Sequence, residues 1–254
     1  MPAEVMKKRN FRDLSYLVNE EGLRLRPGLF FRSAALIKLN AKEAAFIEDK
    51  GIAIVLDLRT PMEKDKKPDT VLDGIEYRHI PVLKKATFGV THEKGLKSYG
   101  EPPIMPVLYA KIVTEESSIE GLRDALHAIY STKPGQPILW HCTAGKDRAG
   151  IVTALFLSSL GYKKEDIIAD YQLSHAISEK KGRKYRRLIR YLLFRFKTAN
   201  AVYKAMLALP EYLEAAFDAI DDKFGSMQTY LKKQMSITKE MVETFKKTFM
   251  EAAE

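Results

Sequence analysis

The sequence predicts an α/β architecture with a largely parallel central sheet, and three observations carry that expectation. Short apolar runs alternate with helical stretches through the first part of the chain, as in βαβ units. The run Pro137 to His141 (PILWH) leads through a glycine-bearing loop into a helix expected from Asp147 to Leu160, with no breaker after Gly150. From Lys163 onward every periodic segment is helical. An all-helical C-terminal extension, residues 163–254, is therefore expected to complete one domain spanning 1–254 and to serve as an extension or lid.

Taken in order, LFFRSA (Leu29 to Ala34) reads as a short strand after the turn pair Pro27-Gly28. NAKEAAFIEDKG reads as a helix with Asn40 as N-cap and Gly51 as terminator. IAIVLDLR is a buried strand that ends in charge, and IEYRHIPV (Ile75 to Val82) alternates as a strand does. SIEGLRDALHAIYS, Ser118 to Ser131, is amphipathic, with Ser118 as a candidate cap. Beyond the Asp147 helix, EDIIADYQLSHAISE, KYRRLIRYLLFRFK, PEYLEAAFDAIDDKF and TKEMVETFKKTFMEAAE all carry helical spacing. There is no repeat, low-complexity tract or long Gly/Ser linker.

At 254 residues, with 46% hydrophobic and 30% charged residues, the chain can bury a sizeable core and is not of the disordered class. Its net charge of +9 suits an anionic partner (phosphorylated protein, acidic lipid or nucleic acid) or simply a solvated basic surface. A single cysteine makes no internal disulfide, which points to a reducing compartment. The start MPAEVMKKRNFRD lacks a signal peptide's apolar region, and no apolar run approaches the ~20 residues of a membrane span. A cytoplasmic protein is expected; export without a cleaved signal peptide stays open.

The only cysteine sits in ILWHCTAGKDRAG, Ile138 to Gly150. A buried strand, a tight glycine loop and a helix start together make an oxyanion site, because loop amides and the helix N-terminus converge on one spot. Cys142 stands at the entrance to that positive potential, and the thiolate is the nucleophilic form of cysteine. Arg148, at the loop's far rim, can grip two phosphate oxygens with its planar guanidinium. Between them Thr143, Ala144, Gly145 and Lys146 are the phosphate- and substrate-binding candidates. His141 is placed to orient the loop. The loop is not a nucleotide-binding P-loop, because Lys146 is followed by Asp147 rather than Ser or Thr.

His141, Cys142, Gly145 and Arg148 match HCxxGxxR at every defined position, and the chain resembles the protein tyrosine phosphatase superfamily. Rhodanese-type loops also follow a strand with cysteine, but they are shorter. The HCxAGKDR form is similar to a bacterial and fungal branch that includes secreted tyrosine and lipid phosphatases of mycobacteria and Listeria. NFRDL, PGLFFRSAAL, IVLDLRTPME and IIADYQLS appear in the order of that branch, so the resemblance runs from about Asn10 to Phe249. It implies a phosphatase-type sheet flanked by helices, phosphomonoester hydrolysis through a phosphocysteine, and no cofactor or metal. The implied partners are phosphorylated proteins or phosphoinositides. No nucleic-acid-binding module is recognisable, and the alternative function is a non-catalytic phosphate-binding or membrane-docking module.

Hydrolysis needs an acid for the leaving oxygen and a base for the attacking water. Many relatives carry an aspartate on a loop upstream, but here LKKATFGVTHEKG has none. Asp147, where myotubularin-type phosphatases also carry an aspartate, is the preferred acid and base. Asp57, at the end of its strand, is the second candidate, or else a structural partner of Arg59 or of loop amides. Lys146 adds charge for anionic substrates, and Arg32 in FFRSA is expected in a structural ion pair. The residue after Arg148 is Ala149, where relatives commonly carry Ser or Thr to help the cysteine leave.

One segment falls outside the motif. KKGRKYRRLIRYLLFRFK, Lys180 to Lys197, is basic and amphipathic, with Tyr185, Leu188, Ile189, Leu192, Leu193 and Phe196 on one face. It is expected to pack that face on its own domain, to cover the site, or to make a peripheral contact with anionic membrane.

Overall fold

The chain is described by a computed structural model over residues 4–84, 104–192 and 196–253. The acid-free stretch LKKATFGVTHEKG lies almost wholly outside the described residues, as do residues 193–195 of the basic segment.

Five strands form the central sheet: β1 (Arg12–Asp13), β3 (Phe30–Ala34), β6 (Ile138–Cys142), β4 (Ile54–Asp57) and β5 (Glu76–His79), in that spatial order. All neighbours are parallel except β1, which pairs antiparallel with β3. β6 is central, and the register sets Cys142 opposite Ala34 and His141 opposite both Ser33 and Asp57. The site therefore begins at the carboxyl edge of the middle strand, where α/β sheets place their ligands.

Strand alternation builds two cores. Phe30, Ile54, Leu56, Ile138 and Trp140 face one side, while Phe31, Val55 and Leu139 face the other. The helices α1 (Ala41–Asp49) and α2 (Pro61–Lys66) are each punctuated by a capping box, Asn40 with Glu43 and Thr60 with Glu63. Next come α3 (Met105–Thr114) and α4 (Glu116–Tyr130). The α4 helix starts earlier than Ser118: extended Glu115 separates it from α3, and Ser118 is buried within the helix rather than capping it. After β6 come α5 (Asp147–Ser159) and α6 (Lys164–Gln172).

The remaining helices are α7 (His175–Leu192), α8 (Phe196–Met206), α9 (Pro210–Phe224), α10 (Met227–Lys233) and α11 (Lys239–Phe249). Helical spacing was the expectation to the end of the chain, but Met250–Ala252 form a strand, β7, paired antiparallel with β2 (Leu23–Leu25). Three residues are too few to show a periodicity of their own, and the pairing partner is more than two hundred positions away. The α11 side chains Phe245 and Phe249 reach the main core, with ring centroids 5.3 and 5.5 Å from Phe30. The C-terminal helices thus share the core of the sheet. The α7–α8 pair has its own small cluster of Ile189, Ala199 and Val202, with Met206 against it. On α7, Ile189 is buried, but Tyr185 and Leu188 from the expected covered face stand in solvent.

Candidate active site

Residues 143–146 turn the chain from β6 into α5, and Gly145 makes the turn feasible. Its φ is +67°, and a Cβ there would lie 2.5 Å from the Ser33 carbonyl of β3, a contact that only glycine avoids. The Gly145 carbonyl accepts hydrogen bonds from Asn10 Nδ2 (2.8 Å) and Arg32 Nη2 (3.0 Å). Cys142 is buried at the base of the loop, and Thr143 and Ala144 are half-buried at its mouth. Lys146, the N-cap of α5, makes no side-chain cap hydrogen bond, so the first amides of the helix are presented to the loop.

Two arginine–carboxylate systems brace this turn. On one side Asp170 of α6 receives Arg12 (Nε–Oδ1 2.6 Å) and Arg32 (Nη1–Oδ2 2.7 Å), all three buried. Burial alone would raise the Asp170 carboxyl, but Arg12 and Arg32 outweigh it and hold it at about 2. Burial pulls the Arg32 guanidinium down to about 10, and the like charge of Arg12 adds to the effect. Arg32 is therefore both an ion-pair partner and a donor to the loop.

On the other side stands Glu63, which sequence reasoning missed. Its carboxylate receives Arg148 bidentately (Nη1–Oε2 2.6 Å, Nη2–Oε1 3.0 Å) and also accepts from Thr143 Oγ1 at 2.6 Å. Burial disfavours the Arg148 charge, but Cys142 and Glu63 more than restore it, so its pKa rises. A guanidinium has five N–H donors, so this fork sets its plane without using them all. The signal was present in the sequence: Thr60-x-x-Glu63 is a capping box, and the same carboxylate that reaches back to the Thr60 amide (3.1 Å) anchors Arg148.

Asp147 is buried at the first position of α5, and its Oδ1 accepts from Tyr109 Oη at 2.6 Å and pairs with Lys146 Nζ at 3.0 Å. Tyr109 in turn meets Tyr171, hydroxyl to hydroxyl, at 2.7 Å. Burial pushes both phenols well up, and the Asp147 charge adds to it. These two tyrosines were not foreseen. Lys146, expected to add charge for anionic substrates, is buried, and its ammonium donates to the carbonyls of Ala205 (3.0 Å) and Leu207 (2.9 Å) at the end of α8.

Asp57 lies apart from this proton network. Arg59 donates to it from Nε (2.8 Å), Nη2 (2.7 Å) and its backbone amide (3.0 Å). Burial would raise the Asp57 carboxyl, but hydrogen bonding and charge from Arg59 hold it at about 2. His141 turns away from the loop toward this pair: Nε2 lies 3.0 Å from Asp69 Oδ2, near enough for an ion pair but not aligned as a hydrogen bond, and Nδ1 lies 3.8 Å from Asp57. Asp57, Asp69 and His141 place ligand atoms within 4.8 Å of one another, as a metal would require. Arg59 already bridges both carboxylates at 2.7 Å and supplies the positive charge that a cation would bring.

Among curated proteins, the triple specificity protein phosphatase PtpB of Mycobacterium tuberculosis is 31% identical, over 88% of this chain and 90% of its own length. A putative tyrosine-protein phosphatase of Cupriavidus necator is 28% identical, over 90% of this chain and 82% of its own. The crystal structure of P. aeruginosa TpbA superposes with a TM-score of 0.38 at 14% identity, over 77% of this chain and 91% of that one. Residues 3–251 match the sequence profile of the tyrosine phosphatase family. The chain belongs to that family and is a phosphatase.

Proposed function

We propose that this phosphatase hydrolyses phosphotyrosine, with phosphoserine, phosphothreonine and phosphoinositide monoesters as further substrates, through a phosphocysteine formed on Cys142. The observation that carries the reading is the arrangement of Cys142, the uncapped start of α5 and Arg148 fixed by Glu63 around one turn of chain. Sγ attacks phosphorus as a thiolate, the bond to the leaving oxygen breaks, and that oxygen takes a proton from Asp147. The amides of 143–148 and the Arg148 guanidinium stabilise the charge on the phosphoryl oxygens. Water then attacks phosphorus, Asp147 takes its proton, and the P–S bond breaks to return the thiolate.

Tyr109 and Lys146 both engage Oδ1 of Asp147, so the travelling proton belongs on Oδ2. Asp57, ionised down to about pH 2, is a partner of Arg59 rather than a proton donor at neutral pH. His141 and Arg59 support the loop from beneath. We further assign the chain to one cytoplasmic domain, 1–254, with 163–254 as a helical extension in which α7 and α8 form a lid held by Lys146. The cationic α7 suits peripheral contact with anionic membrane and hence the lipid substrates. A binding module without turnover is not favoured, since it has no need of Cys142.

One panel tests the reading: phosphate release from phosphopeptides and soluble phosphoinositides, with chelator present, beside Cys142→Ser and Arg148→Ala. Each variant should fold and lose about 10⁴-fold or more, while the wild type keeps full activity. Substantial turnover by folded Cys142→Ser removes the nucleophile assignment. Loss of wild-type activity on chelation, restored by metal, removes the metal-free mechanism.

A further inference from the structure

Among the described residues, the strongly charged helix α7 contributes no side chain to the site just described. Its sequence HAISEKKGRKYRRLIRYL holds seven cations against one acid, Glu179. One side of it is covered. Gly182 faces Tyr203 of α8 so closely that a Cβ would stand 3.0 Å from the ring, Arg186 lies 4.7 Å from the centroid of the same ring, and Ile189 packs with Ala199 and Val202.

The opposite side is open. Lys180, Arg183, Lys184 and Arg187 fan around a groove of about 470 Å³. Among them Leu188 is 43% exposed, and Tyr191, on the same side, is 66% exposed.

Cations alone would suit any polyanion, including an acidic peptide. Leucine and tyrosine standing among them gain only where anionic groups overlie an apolar layer. At such a boundary lysine and arginine stems lie along apolar material while their heads reach phosphates, and tyrosine occupies the interface. Among the described residues no helix is long and apolar enough to cross a membrane, so the helix would lie on the surface.

We propose that the outer face of α7 docks this phosphatase on an anionic lipid surface. Lys180, Arg183, Lys184 and Arg187 meet headgroup phosphates, and Leu188 and Tyr191 enter the interfacial layer. The proposal deepens the lipid part of the function proposed above and rests on it only for the substrate; docking itself needs no catalysis.

The test is cosedimentation of the full chain, wild type and Cys142→Ser, with vesicles of phosphatidylcholine alone or of phosphatidylcholine and phosphatidylserine at about 4:1. Both proteins should bind the mixed vesicles and not the neutral ones. The triple variant Arg183→Gln, Lys184→Gln, Arg187→Gln should bind about a hundredfold more weakly, at about fivefold per cation. Leu188→Ser with Tyr191→Ser should also weaken binding, most visibly at high salt. Without vesicles, both variants should turn over nitrophenyl phosphate as the wild type does. No binding to mixed vesicles at low salt, or equal binding by the triple variant, overturns the proposal. Unchanged binding by the Leu188/Tyr191 variant, together with displacement by polyglutamate, reassigns the face to an acidic peptide and overturns it too. Vesicle binding without phosphoinositide hydrolysis keeps the docking surface and rejects the lipid substrate.

Discussion

The Cys142 loop and the α7–α8 pair are both rich in arginine and lysine, yet they use charge in opposite ways. Around the loop Arg12, Arg32, Arg59, Arg148 and Lys146 are all buried, each with a carboxylate partner and each also donating to backbone. On α7 the cations other than Arg186 face solvent, and Arg183 pairs with its helical neighbour Glu179. A buried pair is costly to break because it leaves an uncompensated charge, whereas an exposed pair adds little. The loop is therefore held in one geometry. The α7–α8 pair rests on a small apolar cluster, so losing a contact there should cost less.

The comparison breaks most readily at Asp170. Asp170→Ala strands two buried guanidiniums and should cost about 3–5 kcal/mol, lowering Tm by about 6–20 °C. Val202→Ala in the α7–α8 cluster should cost only about 1–2 kcal/mol. Thermal melts of both variants check this, and equal shifts would mean that the two regions are equally braced.

Asp147 sharpens the comparison within the loop. Asp147→Asn should slow alkyl phosphates by about 10²–10⁴-fold and nitrophenyl phosphate far less, since nitrophenolate leaves without a proton. Tyr109→Phe should give a weaker version of the same leaving-group dependence, and Asp57→Asn none. Steady-state rates on the two substrate classes decide it; the reverse pattern would move the acid to Asp57.

Acid titrates the braces themselves. Asp57 and Asp170 lie at about 2 in the folded chain against an ordinary 3.8. Because both values are depressed, their stabilisation is fully present above the ordinary carboxylate pKa. It fades as pH falls from about 4 toward 2, by roughly 2 kcal/mol for each group. Denaturant melts from pH 5 to 2 should show this loss, and Asp170→Asn should remove its share.

A smaller effect on catalysis than that of Asp147 is expected at Ala149. A hydroxyl there would stabilise the departing thiolate by roughly 1.5–3 kcal/mol, or on the order of tenfold to a hundredfold in dephosphorylation. The wild type should show a pre-steady-state burst of nitrophenol, and Ala149→Ser should shrink the burst and raise turnover. No burst and no change in the variant would mean that another group already does this work.

Much of this architecture was legible in the residues. Short apolar runs beside turn residues or charge, Asn40 with Gly51, and the His141–Arg148 spacing led to β3, β4, β6, α1 and α5 because each rests on local chemistry. What stayed hidden depends on distant pairing. Glu63 announces itself only as a helix cap, and nothing local says that it faces Arg148 across the sheet edge. Tyr109 and Tyr171 lie 62 positions apart before meeting. Met250–Ala252 become a strand only because Leu23–Leu25 are waiting. Lys146 was expected to offer its charge to anionic substrates; helix α8, whose carbonyls take its ammonium, lies about sixty residues on.

That lysine links the two regions. Its ammonium satisfies two carbonyls at the end of α8, where a helix leaves acceptors without partners and gathers negative potential. If an anion in the loop drew Lys146 toward itself, it would take these bonds from α8. Thermodynamic reciprocity would then require that displacing α8 from Lys146 changes anion binding by the same factor by which bound anion changes the displacement of α8.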